Sequence, residues 1–324
     1  MCARHSLRCC ELLNEWLESA NNGRKCRKQA HCHGCRESEI VSVGQKDYEK
    51  RMLKNLRVTA ERIVLLLAGF ALASCATPGR RIDEIAANAQ LTRAIVQGTR
   101  FHHVTYVRDT ADDATLTVYI EGDGIPWIRG REPAPDPTTR EPLALALMVA
   151  SPDAGLYVAR PCYQLQLEAT CRPELWTFAR YGDEVVASMV SAIARQLETR
   201  RAQSVRLVGY SGGGVLAVLI AERLERVTHV ITIAANLDVA AWSSHHGYLP
   251  LADSLDPARS ERSHAFREMH LQGALDRTVP SATTRDYFTR YPQAQQRTFV
   301  EFDHVCCWVR EWPRIAAELR NAGF

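Results

Sequence analysis

The chain has 324 residues, 46% hydrophobic and 24% charged, with 40 Lys/Arg against 37 Asp/Glu for a formal net charge of +3. That length allows one large domain or two smaller ones, the composition excludes overall disorder, and so small a charge gives no case for nucleic acid as a partner. All five lysines (Lys25, Lys28, Lys46, Lys50, Lys54) precede residue 55, which removes a Ser–Lys dyad, a Schiff-base lysine and a Walker lysine from the body of the protein.

Residues 1–51 are expected to be an N-terminal extension, unstructured or preceding the natural start at Met52. They hold "HCHGC" at 31–35, but only one C-x-x-C stands there, so no metal site is assigned. Residues 52–75 read "MLKNLRVTAERIVLLLAGFALASC". Lys54, Arg57 and Arg62 form a basic stretch before an apolar run from Ile63 to Ala73. The run is of signal-peptide length and shorter than the roughly 20 residues a membrane span needs. Its end, Leu72-Ala73-Ser74-Cys75, resembles the lipobox of bacterial lipoproteins. The resemblance implies lipidation of Cys75 and a mature chain held to the cell envelope by lipid. Ala76 follows where an aspartate would imply retention at the inner membrane, so the outer membrane, facing the periplasm, is the expected address. A buried core helix is the alternative reading of the same run.

Residues 76–98 are set aside as a linker and N-terminal segment. From 99 to 324 the chain alternates strand-like and helix-like stretches. Strands are expected at 101–109, 114–124, 155–161, 204–210, 229–236, 266–273 and 296–303, and helices at 140–150, 183–200, 213–226, 282–291 and 308–323. This alternation predicts a mostly parallel α/β sheet of about eight strands, with helices on both faces and ligands outside the carboxyl ends of the strands. The segment 237–262 is the longest insert after residue 211 and is expected to form a small lid only.

"SVRLVGYSGGGVLAVLIAERL" (204–224) places Ser211 between a strand and a helix. A serine on so sharp a corner needs very small residues two before and two after it, and Gly209 and Gly213 meet that need. The pattern is similar to the G-x-S-x-G elbow of the α/β-hydrolase superfamily, whose chain order is serine, acid, histidine. The resemblance covers roughly residues 99–323. It implies Ser211 as nucleophile, Asp276 of "HLQGALDRTVP" as acid and His304 of "FDHVCCW" as general base. Asp238 is the rival acid. Asp303 lies too close to His304 in sequence to orient it, and His245 and His246 fall in the wrong order. The oxyanion hole is expected from the N–H of Gly212 and a donor in "EGDGIPW" (121–127), with Asp123 as the positional match and Gly124 next. The superfamily often has His-Gly where this chain has Glu121-Gly122.

Without Cys75, the mature body keeps Cys162, Cys171, Cys306 and Cys307, and an exported chain meets an oxidising compartment. Cys162–Cys171 is the preferred bridge. A vicinal Cys306–Cys307 bond and a cross-pairing between the two loops stay open, as do four free thiols. Trp127, Tyr163, Trp176, Tyr181, Trp242 and Tyr248 fall on loops at the serine end of the sheet, and Tyr210 adjoins the nucleophile. They either wall an apolar acyl or aryl pocket or pack the loops. The function expected is hydrolysis of a carboxylic ester or related small acyl substrate, with no cofactor. The alternatives are an acyltransferase, thioesterase or peptidase with the same residues, or a non-catalytic envelope lipoprotein. Nothing in the sequence fixes the oligomeric state.

Overall fold

The computed structural model describes residue 52 and residues 77–324, apart from 109–113, 165–167 and 201. The chain divides into two compact units, Met1–Ser74 and Cys75–Phe324. The expectations for residues 1–51, for the apolar run and for Cys75 lie outside the described residues.

In chain order the second unit runs α1 (Pro78–Asn88), β1 (Thr92–Gln97), β2 (His102–Arg108), β3 (Thr115–Ile120), a short hairpin of β4 (Trp127–Ile128) and β5 (Glu132–Pro133), α2 (Leu143–Ala150), β6 (Gly155–Val158) and α3 (Asp183–Arg200). It continues with β7 (Ser204–Tyr210), α4 (Gly212–Ala221), β8 (Val227–Ile233), α5 (Val239–His245), β9 (Arg267–Gly273), α6 (Arg285–Arg290), β10 (Gln295–Phe299) and α7 (Trp308–Asn321). Eight strands form one sheet in the order β1-β2-β6-β3-β7-β8-β9-β10. The two pairings at the β1 edge are antiparallel and the other five are parallel. Parallel strands need covered faces. One face buries α3 and α4 through Val185, Met189, Ile193, Val215 and Leu219; the other buries α1, α2 and α7 through Ile82, Leu145, Trp308 and Trp312.

The helices follow from local chemistry. In α3, Val185, Val186, Met189, Ile193 and Leu197 recur at helical spacing, with Asp183 and Glu184 in the first turn and Arg200 in the last, as the helix dipole favours. α1 starts at Thr77, whose side chain accepts from the Arg80 N–H, with Pro78 in the first turn. α2 is apolar all round and buried on Leu143, Ala144, Leu145, Leu147 and Met148; Pro142 gives it no side-chain cap. The Glu121 carboxylate caps it instead, accepting from Ala144 N–H at 3.0 Å.

The stretch 76–98 carries more than a linker would: α1 and the edge strand β1 lie inside it. The β4–β5 hairpin also escapes the sequence reading, and α6 is shortened to six residues by a 3₁₀ turn over Ser281–Thr284. Within 237–262, α5 is followed by irregular backbone, so this insert is a wall segment rather than a cap domain.

Candidate active site

Ser211 stands at the seam of β7 and α4 with φ 51° and ψ −124°. An L-residue holds such a conformation only when its surroundings over-determine it. Here they do: its N–H donates to the Ile233 carbonyl and its own carbonyl accepts from Gly214 N–H, both at 2.8 Å. A Cβ at position 209 would sit 2.3 Å from the Gly213 oxygen, and one at position 213 would sit 2.3 Å from the Ile120 oxygen. Both glycines are therefore obligatory for this corner. The start of α4 lies directly after the serine, so its unpaired N–H groups and positive dipole end face the side chain.

Asp276 follows β9 in a tight turn. Its Oδ1 accepts from the N–H groups of Thr278 and Val279, both at 2.8 Å, which fixes the carboxylate. Its Oδ2 lies 2.8 Å from His304 Nδ1. A carboxylate only accepts, so the imidazole proton sits on Nδ1 and Nε2 is left as an acceptor. The His304 loop is braced by Asp303, whose Oδ1 accepts from Val305 and Cys306 N–H and whose own N–H donates to the Cys306 carbonyl. Asp303 thus shapes the turn and does not touch the imidazole. No hydrogen bond joins Ser211 to His304; both line one cleft of about 1680 Å³ at the carboxyl ends of the parallel strands, with the Tyr210 and His304 rings 5.3 Å apart.

The rival residues have other tasks. Asp238 caps α5 by accepting from Ala241 N–H at 2.7 Å. His246 places Nε2 2.8 Å from the Thr278 carbonyl and stacks on Tyr248. His245 packs edge-on against His246. Trp127, Tyr210, Trp242 and Tyr248 line the cleft. Trp176 does not: it is 2% exposed and packed in the core with Tyr163 and Tyr181. Of the two expectations for the loop aromatics, a pocket wall does not hold for Trp176, which packs inside the core. Cys162 and Cys171 form a disulfide, and Cys306 is bonded to Cys307, so the cross-pairing is not formed.

The loop after β3 is held by several hydrogen bonds. Buried Glu121 accepts from Gly122 N–H at 3.1 Å as well as from α2. Burial pushes its carboxyl up to about 7, against the pull of these backbone donors. Tyr163 donates its hydroxyl to the Asp123 carbonyl at 2.9 Å, and Ile125 N–H donates to the Pro137 carbonyl at 2.9 Å. Gly122 N–H being taken, the N–H groups of Asp123, Gly124 and Gly212 have no protein acceptor among the described residues.

The sequence reading missed what Asp123's side chain does. Its Oδ1 meets Arg160 at 2.5 Å, and its Oδ2 meets Arg180 at 2.8 Å and the Tyr181 hydroxyl at 2.7 Å. Burial alone would raise this carboxyl, but the two guanidinium groups, Arg180 above all, hold it down at about 2. Arg160, Arg180 and Tyr181 stand in the short blocks "RPC" (160–162) and "ARY" (179–181), which carry no mark of a shared partner.

No protein-family model matches the sequence, and no curated protein does. Solved structures match across the sheet. An esterase from Pyrococcus furiosus, Pf2001, superposes with a TM-score of 0.54 at 10% identity over 73% of this chain and 93% of that one. A second crystal form of the same esterase gives 0.52 at 10% identity, over 73% and 92%. A lidless α/β serine hydrolase from Xanthomonas campestris gives 0.46 at 14% identity, over 71% and 92%. With the sheet order and the serine corner, the first two matches decide the architecture. It is the α/β-hydrolase fold. The α/β-hydrolase fold here is the eight-stranded sheet β1-β2-β6-β3-β7-β8-β9-β10 with helices on both faces, and its serine corner opens on the cleft just described.

Proposed function

We propose that this protein is a serine hydrolase that cleaves carboxylic esters with a bulky apolar acyl or aryl part through an acyl-enzyme. The observation that carries the reading is the Asp276–His304 hydrogen bond beside a serine on a positive-φ corner, all three after different strands, with Ser211 and His304 lining one cleft and Asp276 buried behind the imidazole. Ser211 Oγ attacks the acyl carbon as His304 Nε2 takes its proton. The tetrahedral oxyanion accepts from Gly212 N–H and from Asp123 or Gly124 N–H. His304 then returns the proton to the leaving oxygen, and a water repeats the sequence to release the acid. Asp276 keeps the imidazole in the tautomer this needs. Serine–base contacts are often loose without substrate and close by a side-chain rotation in the Michaelis complex. Trp127, Tyr210 and Trp242 would bury the apolar group. Acyl transfer, thioester cleavage and peptide cleavage would use the same groups and differ in acceptor or leaving group.

The chain is further read as an envelope lipoprotein, anchored through Cys75 with the hydrolase unit in the periplasm. The basic–apolar–LASC pattern of 52–75 supports this, and the second compact unit begins at Cys75.

A fluorophosphonate probe and a chain-length panel of 4-nitrophenyl esters test the enzyme. Wild-type protein takes the probe and hydrolyses the esters, and Ser211→Ala does neither. A folded, exported wild type that stays unlabelled ends this reading. Metabolic labelling with a fatty acid, lost in Cys75→Ser, tests the anchor.

A further inference from the structure

Four side chains from three separate loops meet behind the serine corner: Asp123, Arg160, Arg180 and Tyr181. We infer that they form a positioning unit for the oxyanion donors, fixing the Asp123 and Gly212 backbones and leaving one buried positive charge behind them. This rests on the hydrolase reading above and names residues it does not need for bond-making.

The first observation is packing. A Cβ added to Gly212 would lie 2.0 Å from Asp123 Oδ1 and 2.5 Å from the Tyr181 hydroxyl. The residue after the nucleophile is therefore glycine because the clamp, not a substrate, fills the space beside it. The Asp123 carboxylate packs against Gly212, and the second expected donor is Asp123's own N–H, so one residue registers both N–H groups against each other.

The second observation is charge. Two guanidinium groups face one carboxylate, and no other acid forms an ion pair with either arginine among the described residues. The hydroxyls nearby stay neutral: burial, before any other cause, pushes Tyr163 up to about 12 and Tyr181 higher still. Arg160 is 1% exposed, donates to the Arg180 carbonyl at 2.6 Å, and leaves its Nε without a partner. Arg180 also lines the cleft. A buried cation in excess is costly in the resting protein. The cost is offset when a negative charge develops at the donors, which is the condition for a group that favours the transition state over the ground state.

The test uses the full-length protein with 4-nitrophenyl butyrate, a reversible trifluoromethyl ketone as transition-state mimic, and thermal melting as the fold control. Arg180→Gln is expected to lower kcat by about 100-fold with KM within about threefold, and to weaken the ketone by a similar factor. Arg180→Lys, which keeps the charge, recovers part of both losses. Tyr181→Phe removes one hydrogen bond of the clamp and lowers kcat by about threefold to tenfold without moving KM. A folded Arg180→Gln variant with wild-type kcat and ketone affinity overturns the inference while leaving the hydrolase reading intact. If Arg180→Gln fails to fold, unchanged kcat in both Arg180→Lys and Tyr181→Phe overturns it equally. Wild-type protein that neither hydrolyses the ester nor takes the fluorophosphonate fails the hydrolase reading itself, and the inference with it.

Discussion

Among the described residues a hydroxyl, a histidine and a carboxylate come together at Ser211 and again at Thr232, and of these two groupings the first faces a cleft. Thr232 Oγ1 lies 2.8 Å from His270 Nδ1, and His270 Nε2 lies 3.0 Å from Glu268 Oε2. By residue type this is as good a relay as Ser211, His304 and Asp276. Yet Thr232, His270 and Glu268 are 1%, 1% and 2% exposed, within β8 and β9, and both ring nitrogens of His270 are spent on buried partners. Arg262 and Tyr287 close the far side of Glu268. The His304 side chain keeps 17% of its surface, just past the end of β10. The Thr232 grouping has both hydrogen bonds and no access, whereas Ser211 and His304 share a cleft and have only the His304–Asp276 bond formed.

The largest effect separates the two serine-like groups. Ser211→Ala should lower kcat by about 10⁴ to 10⁶-fold, since it removes the proposed nucleophile. Thr232→Val should leave kcat within about threefold and lower the melting temperature, because it strands His270 without its partner. Ester kinetics beside thermal melts read both. Equal losses of activity would mean that access does not distinguish the two groupings.

The next effect separates the two acids. Asp276→Asn should reduce kcat by about 10⁴-fold with little change in stability, because the amide favours the wrong imidazole tautomer. Glu268→Gln should do the reverse. Its carboxylate is fully buried against Arg262, so breaking the pair should cost about 3–5 kcal/mol of stability while kcat stays near wild type. Denaturant titration and steady-state kinetics on the same samples check the crossing pattern.

How far the sequence could see follows the same division. The serine corner was legible because Gly209 and Gly213 answer a steric demand that no other residue meets, and a steric demand leaves a mark at fixed spacing. Asp276 and His304 were legible through chain order and through their place after strands. The Asp123 clamp was not, because an ion pair leaves no periodic mark: Arg160 and Arg180 lie 37 and 57 residues from their partner and look like any other arginine. β1 was missed because only Val96 is buried among its six residues, so no alternation shows. Trp176 was a candidate for the cleft wall as much as for loop packing because a loop aromatic carries no sign of which side it turns to.

The smallest effect compares two buried glutamates whose surroundings act in opposite directions. Glu268 has a histidine and an arginine beside it. Burial raises its carboxyl, but the His270 hydrogen bond and charge and then Arg262 win, and it ends below the usual range. Its stabilisation is complete above the unfolded value near 4.5 and is lost as pH falls through the folded one. Glu121 has only backbone N–H donors, and burial carries it up to about 7. Its contribution is complete below about 4.5 and is lost as pH rises towards 7, by an amount on the order of 3 kcal/mol. Unfolding free energies of wild type and Glu121→Gln between pH 4.5 and 8 should therefore diverge in slope, with the wild type falling and the variant flatter. Glu268→Gln should instead flatten the loss below pH 4.5. A wild-type curve level from pH 4.5 to 7 would show that the backbone donors at the start of α2 hold Glu121 ionised, so that an N-terminal helix cap and a cationic partner are equivalent ways to bury a carboxylate in this fold.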